Sequence, residues 1–127
     1  MTGSDRLSLG HWGEDLAACF LKGLGCEILE RNLRFGPLEV DLVIREGKTI
    51  AMVEVRLRSD HSHGRPEETV GFRKRRTLDR AWREIAKRYP EVSWIRIDIL
   101  AISRLGKRQV QIRHFPNAWK PLGTQIF

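Results

Sequence analysis

With 127 residues, 41% of them hydrophobic and 31% charged, the chain has the size and make-up of one folded domain with its own core. There is no basic-then-apolar leader, and no apolar run nears the roughly 18 residues of a membrane span, so no spanning helix is expected and the cytoplasm is the default compartment. A formal charge of +7 and a pI near 10.1 point instead to a polyanionic partner, nucleic acid before a membrane surface.

Residues 1–6 read as a loose terminus. Trp12, Leu16, Phe20 and Leu24 then recur at helical spacing, with Ala17 and Leu21 widening the stripe. The spacing predicts a helix from residue 7 or 9 to 24, closed by Gly23 and Gly25. Glu14 falls at the edge of the apolar face, where a carboxylate ordinarily serves the helix dipole, while Asp15 and Lys22 face water. Cys19 and Cys26 are too few and too close for a disulfide framework and read as reduced core thiols. Residues 26–34 make the first predicted strand, and Phe35-Gly36-Pro37 turns the chain.

Residues 39–56 are the stretch around which the remainder can be placed. Two β-branched runs flank Gly47-Lys48, and glycine at the first of two loop positions suits a type II′ hairpin turn. Centring the turn there sets Glu46 opposite Thr49, Ile44 opposite Ala51, Asp41 opposite Glu54 and Glu39 opposite Arg56. Alternation then assigns Val40, Leu42, Ile44, Ala51, Val53, Val55 and Leu57 to one wholly apolar face. The other face holds Val43 and Met52, and then, at one end, three carboxylates and one guanidinium. Like charges directly opposed on a sheet are destabilising, and burial between layers adds to the cost. A hard divalent cation, Mg²⁺ or Mn²⁺, would relieve it through oxygen ligands. A frayed end with hydrated charges, one of them neutralised by Arg56, would also do so, and spacing alone leaves both readings open.

Residues 58–66 collect Ser, Asp, His, Gly and Pro and read as a loop. His61 and His63 within it lack the further ligands a tetrahedral zinc site needs, which favours a polar loop tip that brushes a phosphate backbone. Pro66-Glu67-Glu68-Thr69 opens a second helix that ends by Arg88-Tyr89-Pro90. Leu78, Ala81, Trp82, Ile85 and Ala86 form its apolar stripe. Between residues 71 and 88, Arg73, Lys74, Arg75, Arg76, Arg80, Arg83, Lys87 and Arg88 meet only Asp79 and Glu84, a balance that favours phosphate contact over a merely solvated face. Residues 92–102 and 109–115 are the last two strands, joined through Gly106-Lys107. Asp98 reads as a cross-strand polar residue, His114 as an edge-strand residue and Trp119 as a cap on the core, with 116–127 forming a tail.

The element order is therefore α-β-β-β-α-β-β. Three strands form an antiparallel meander, the second helix crosses over to the fourth strand, and helices flank a mixed sheet in an α/β sandwich.

Several short motifs stand in a specific order: Gly13-Glu14, Arg31-Asn32, Glu39-Val40-Asp41-Leu42, Val53-Glu54-Val55-Arg56, Lys74-Arg75-Arg76-Thr77-Leu78, Arg96-Ile97-Asp98 and Asn117-Ala118-Trp119. Over about residues 9–119 the chain resembles the YraN-like family of small bacterial proteins, within the PD-(D/E)xK nuclease superfamily and related to archaeal Holliday junction resolvases. The resemblance implies a restriction-endonuclease-like three-layer sandwich, with Asp41 and Glu54 binding Mg²⁺ or Mn²⁺ and Glu14 approaching the ion from the first helix. It also implies DNA, branched or single-stranded, as the partner, and a homodimer by analogy with the resolvases. Arg73, Lys74, Arg75, Arg76 and Arg80 would grip the backbone, and Glu39 would be auxiliary. Two departures stand out. Arg56 replaces the superfamily's usual lysine, and arginine keeps its proton, so it can orient water or stabilise charge but cannot act as a base. The nucleophile would then come from water on the metal, or Lys74 would take the missing role. Leu38 stands where the family usually has glycine, which alters strand entry rather than the site. The sequence thus allows a metal-dependent endonuclease, and as the alternative a DNA-binding module that keeps the fold without turnover.

Overall fold

In the computed structural model, residues 3–58 and 72–119 are described; the side chains of residues 3–10, 58, 72–75, 77, 79 and 119 lie outside the described part. The elements are α1 (Gly3–Gly23), β1 (Glu27–Phe35), β2 (Leu38–Glu46), β3 (Thr49–Arg58), α2 (Phe72–Arg88), β4 (Trp94–Arg104) and β5 (Val110–Trp119). The strands form one five-stranded sheet in the order β1-β2-β3-β4-β5. All neighbours are antiparallel except β3 and β4, which run parallel across the α2 connection. The predicted order and the mixed sheet are both present. Among the described residues no helix is long and apolar enough to cross a membrane.

The hairpin follows its predicted register from Glu46↔Thr49 to Leu42↔Val53. Gly47 takes φ 59°, while Lys48 is not among the positive-φ residues, as a type II′ turn requires. At the end of α1, Gly25 adopts φ 92°. Its N–H donates to Lys22 O at 2.9 Å and the Cys26 N–H to Leu21 O at 3.0 Å, the pair of bonds of a Schellman cap.

Two apolar clusters, one on each face, make the structure a three-layer sandwich. Ala17, Ala18 and Leu21 of α1 pack on Leu42, Ile44, Ala51, Val53, Leu100 and Ile102. Leu78, Ala81, Trp82 and Ile85 of α2 pack on Val43, Ile50, Met52, Ile95 and Ile97. Each fully buried Leu or Ile contributes about 2 kcal/mol.

Several expectations are corrected. The chain at 3–6 is helical rather than loose, because α1 begins at Gly3. Trp12 and Leu24, placed on the buried stripe by spacing, are 36% and 58% exposed. The small residues set the phase of the helix instead. Gly13 sits against Leu57 so closely that an added Cβ would lie 2.9 Å from Leu57 Cδ2. Cys19 is exposed for the same reason, and only Cys26 is a core thiol; burial, then the neighbouring Glu46 carboxylate, raises its pKa above the ordinary thiol range. Val40 packs in the α2-side cluster, opposite to Leu42 and Ile44. Finally, β5 continues through Pro116 to Trp119 as an edge strand, where the expected tail would begin. A register shift between Ile97 and Ile99 and φ 53° at Asn117 absorb the proline. The start of the second helix, the His61/His63 loop and the Trp119 side chain lie outside the described part.

Candidate functional site

The sheet splits where the acidic residues stand. Pairing of β1 with β2 runs on to Phe35↔Leu38, and pairing of β3 with β4 runs on to Arg58↔Ser103. Pairing of β2 with β3 stops at Leu42↔Val53. Beyond that point the β1–β2 ribbon and the β3–β4 pair part company, and Asp41 and Glu54 are the first residue on each lip. The expectation that Asp41 opposes Glu54, and Glu39 opposes Arg56, within a continuous ladder is corrected accordingly. In place of the ladder, the Val55 N–H donates to Asp41 Oδ2 at 2.8 Å, so the carboxylate itself spans the mouth of the fork.

Local sequence explains the kink. Asn32 takes φ 51°, a left-handed conformation that asparagine tolerates better than most residues, and it falls between the paired positions Arg31↔Leu42 and Leu33↔Val40. That places Asn32 across from Asp41 and explains how Val40 and Leu42 come to face different layers. The Asn32 side chain donates from Nδ2 to Glu14 Oε2 at 2.9 Å, bringing the α1 carboxylate to the β1 lip. Arg31 pairs with Asp15 beside it, a second tie between α1 and β1.

Burial differs among the candidates. Glu54 is only 7% exposed, whereas Asp41, Glu39, Arg56 and Glu14 are half-buried. Glu39 lies 3.6 Å from Arg34 across the β1–β2 ribbon. Glu39, Asp41, Glu54 and Arg56 also have further interactions. Alternation from Met52 directs Glu54 and Arg56 toward the α2 layer. On α2, Arg76 and Arg80 are exposed, as a phosphate-facing role requires. Arg73, Lys74 and Arg75 occupy the first turns of that helix, but their side chains are outside the described part. The other end of α2 is fastened to β1. Arg88 Nη1 lies 3.1 Å from Glu30 Oε1, the Tyr89 hydroxyl donates to Glu30 Oε2 at 2.9 Å, and Arg88 covers the Phe35 ring at 4.9 Å.

Among the described residues, no three His, Cys, Asp or Glu groups gather into a metal cage. Mg²⁺ does not demand one: it keeps several waters and is held by one or two carboxylates together with substrate phosphates. Asp41 and Glu54, oxygen donors at one mouth and one of them buried, have the chemistry for that limited role.

A second polar cluster occupies β4 and β5, and sequence reasoning saw only part of it. Asp98 is 0% exposed and accepts from Arg96 Nε at 3.0 Å and from the Asn117 N–H at 2.8 Å; its Oδ2 lies 2.8 Å from His114 Nε2. Arg96 Nη2 reaches on to Glu46 at 2.9 Å. Burial alone would lower the Arg96 pKa, but its bonds to Asp98 and Glu46 more than reverse that. The cross-strand role expected for Asp98 is what it performs. The link to Asn117 was hidden because residues 116–119 did not read as strand.

A model of the uncharacterised protein family UPF0102 matches residues 13–102 of this chain. A UPF0102 protein of Syntrophotalea carbinolica is 42% identical over 116 residues, covering 90% of this chain and 93% of that protein. One from Anaeromyxobacter dehalogenans is 41% identical over 118 residues, covering 92% and 87%. Among solved structures, Pyrococcus furiosus SfsA in complex with Ca²⁺ aligns with a TM-score of 0.43 at 15% identity, over 88% of this chain and 63% of that one.

Proposed function

The chain belongs to the UPF0102 family, and for it we propose a nucleic-acid-binding protein that hydrolyses phosphodiesters in branched or structured DNA with the help of Mg²⁺ or Mn²⁺. The observation that carries this reading is the fork: β2 and β3 separate at the point where Asp41 and the buried Glu54 stand on facing lips. A divalent cation, when bound, supplies a more acidic water and neutralises the attacked phosphate. Asp41 and Glu54 would hold it, and Glu14, brought to the same lip by Asn32, would assist. The Arg56 guanidinium orients the attacking water or stabilises charge on the phosphate. The basic face of α2, with Arg76 and Arg80 exposed, holds the backbone; such contacts read shape rather than sequence, which suits branched DNA. Glu39 is auxiliary, through its pairing with Arg34 beside the mouth.

One feature favours a second reading, a DNA-binding module without turnover. Arg56 occupies the position from which lysine would help activate water, and it cannot do so. Incubating the protein with labelled four-way junction, single-stranded DNA and linear duplex in Mg²⁺ or Mn²⁺ separates the two. For the enzyme, Asp41→Asn lowers cleavage at least about 1000-fold, equivalent to about 4 kcal/mol of barrier, while binding persists. Binding that ignores both the metal and the substitution, with no cleavage by the wild type, supports the module.

A further inference from the structure

The reading above uses one basic surface, the face of α2. A second lies where β4 turns into β5. Arg104, Leu105, Gly106 and Lys107 line an open concavity of about 510 Å³ there, and the Leu105 N–H closes the turn on Gln109 O at 2.9 Å. Arg104, Lys107 and Arg108 are exposed, and among the described residues no carboxylate pairs with any of them. An aromatic ring belongs to the same patch. The Arg104 guanidinium lies 5.6 Å from the centroid of Trp12, a tryptophan 36% exposed in the middle of α1. Leu57, 41% exposed, packs against Gly13, the neighbour of Trp12 in α1.

The location matters as much as the chemistry. Arg56 pairs with Ala101 in the parallel ladder, and Arg104 follows three residues further along β4, about 10 Å at the rise of a strand. The turn therefore stands at the same end of the sheet as the open mouth, on the α1 side where Arg104 meets Trp12, and a bound polymer would reach it by passing round that end of the sheet.

An exposed aromatic ring flanked by uncompensated cations is the combination that holds unpaired nucleotides. Bases stack on the ring whatever their identity, and the cations take the phosphates. A duplex offers the phosphates but keeps its base faces stacked inside. The geometry points to a single-strand binding strip formed by Trp12, Arg104, Lys107 and Arg108, which selects nucleic acids carrying an unpaired segment next to the cleavage position over fully paired duplex. Trp12 is the stacking platform, Arg104 holds the ring and meets a phosphate, and Lys107 and Arg108 extend the track. The inference rests on the nucleic-acid reading of the preceding subsection and adds to it the form of the substrate.

The test uses the full-length chain in EDTA, so that cleavage cannot interfere, and follows the anisotropy of a labelled oligothymidylate of about 20 nucleotides, longer than a typical single-strand site. A duplex of the same length is run in parallel. The triple variant R104A/K107A/R108A should bind the single strand roughly tenfold more weakly, with the slope of log K against log salt reduced by about 2, as expected for three lost phosphate contacts. Trp12→Leu should also lose roughly tenfold, within the range of one lost base stack, and Trp12→Phe should recover most of it. Duplex binding by Trp12→Leu should change by less than about threefold, because a partner without free base faces has no stack to lose. If Trp12→Leu proves unstable, K107A/R108A carries the test from the exposed turn alone. Wild-type single-strand affinity in the strip variants, alongside weakened binding by Arg76→Glu/Arg80→Glu, overturns the strip and leaves the α2 surface standing. A wild type that binds neither oligonucleotide overturns both.

Discussion

Asp41 and Asp98 are carboxylates of one sheet, and their surroundings differ in kind. Asp98 is sealed at 0% exposure and met by Arg96, His114 and the Asn117 N–H, so that both of its oxygens are engaged by the fold. Asp41 stands half-buried at the edge of a separation between strands, with the Val55 N–H on Oδ2 and the buried Glu54 on the facing lip. A carboxylate enclosed by side chains of its own and a neighbouring strand acts as a fastening, here of β5 to β4. A carboxylate set where the ladder opens is the one to which the proposed function gives the metal. Burial alone would have ranked Asp98 as the better candidate, and the character of its partners reverses that ranking.

Substitution sharpens the contrast most at Asp98. Asp98→Asn leaves Arg96 and His114 without their carboxylate and should lower unfolding stability by about 3 kcal/mol, near the lower end for a broken buried pair because Arg96 is 19% exposed. Urea unfolding measures it. Asp41→Asn should cost less than about 1 kcal/mol on the same curve, since the amide oxygen can still accept from Val55; equal losses at the two positions would break the comparison.

A smaller effect is expected where α1 meets β3. Gly13→Val should cost about 2 kcal/mol, because its branched side chain must displace Leu57 from a contact already closer than ordinary packing. Gly13→Ala should lie within about 0.5 kcal/mol of wild type, the gain in helix propensity offsetting a small shift of the exposed Leu57. Thermal unfolding of the two variants separates close packing from helix propensity.

The smallest effect concerns Cys26. Its pKa is raised in the folded state, so the fold favours the neutral thiol; that stability is fully present below the unfolded value, about 9, and is lost as pH rises through the folded value. The unfolding midpoint should therefore decline above about pH 9, and Cys26→Ala should flatten the decline. Exposed Cys19 should be alkylated well before Cys26 in the native protein, as mass spectrometry of quenched samples would show.

Much of this architecture is legible in the chain. Gly47 fixes the hairpin turn, and alternation on either side of it fixes the pairing from Glu46↔Thr49 to Leu42↔Val53. Alternation could not reveal where that pairing ends, because residues keep alternating whether or not a neighbouring strand is still bonded to them. The flip of Val40 follows from the backbone of Asn32 on the adjacent strand, a cause no pattern within β2 contains. The bulky residues of α1 indicate the wrong phase, because close approach to the sheet is set by Gly13, Ala17 and Ala18. Asp98 was visible as a polar residue on a strand, but its third partner lies beyond a proline that reads as the end of structure.

The two asparagines in left-handed conformation have a consequence for how the molecule behaves in company. Asn32 lies on β1 and Asn117 on β5, the outermost strands of the sheet. An outer strand is a template on which a foreign strand can add, and templating needs a long flat row of unsatisfied backbone groups. One bend in each rim interrupts that row, which makes either edge a poorer template for a sixth strand from a neighbour.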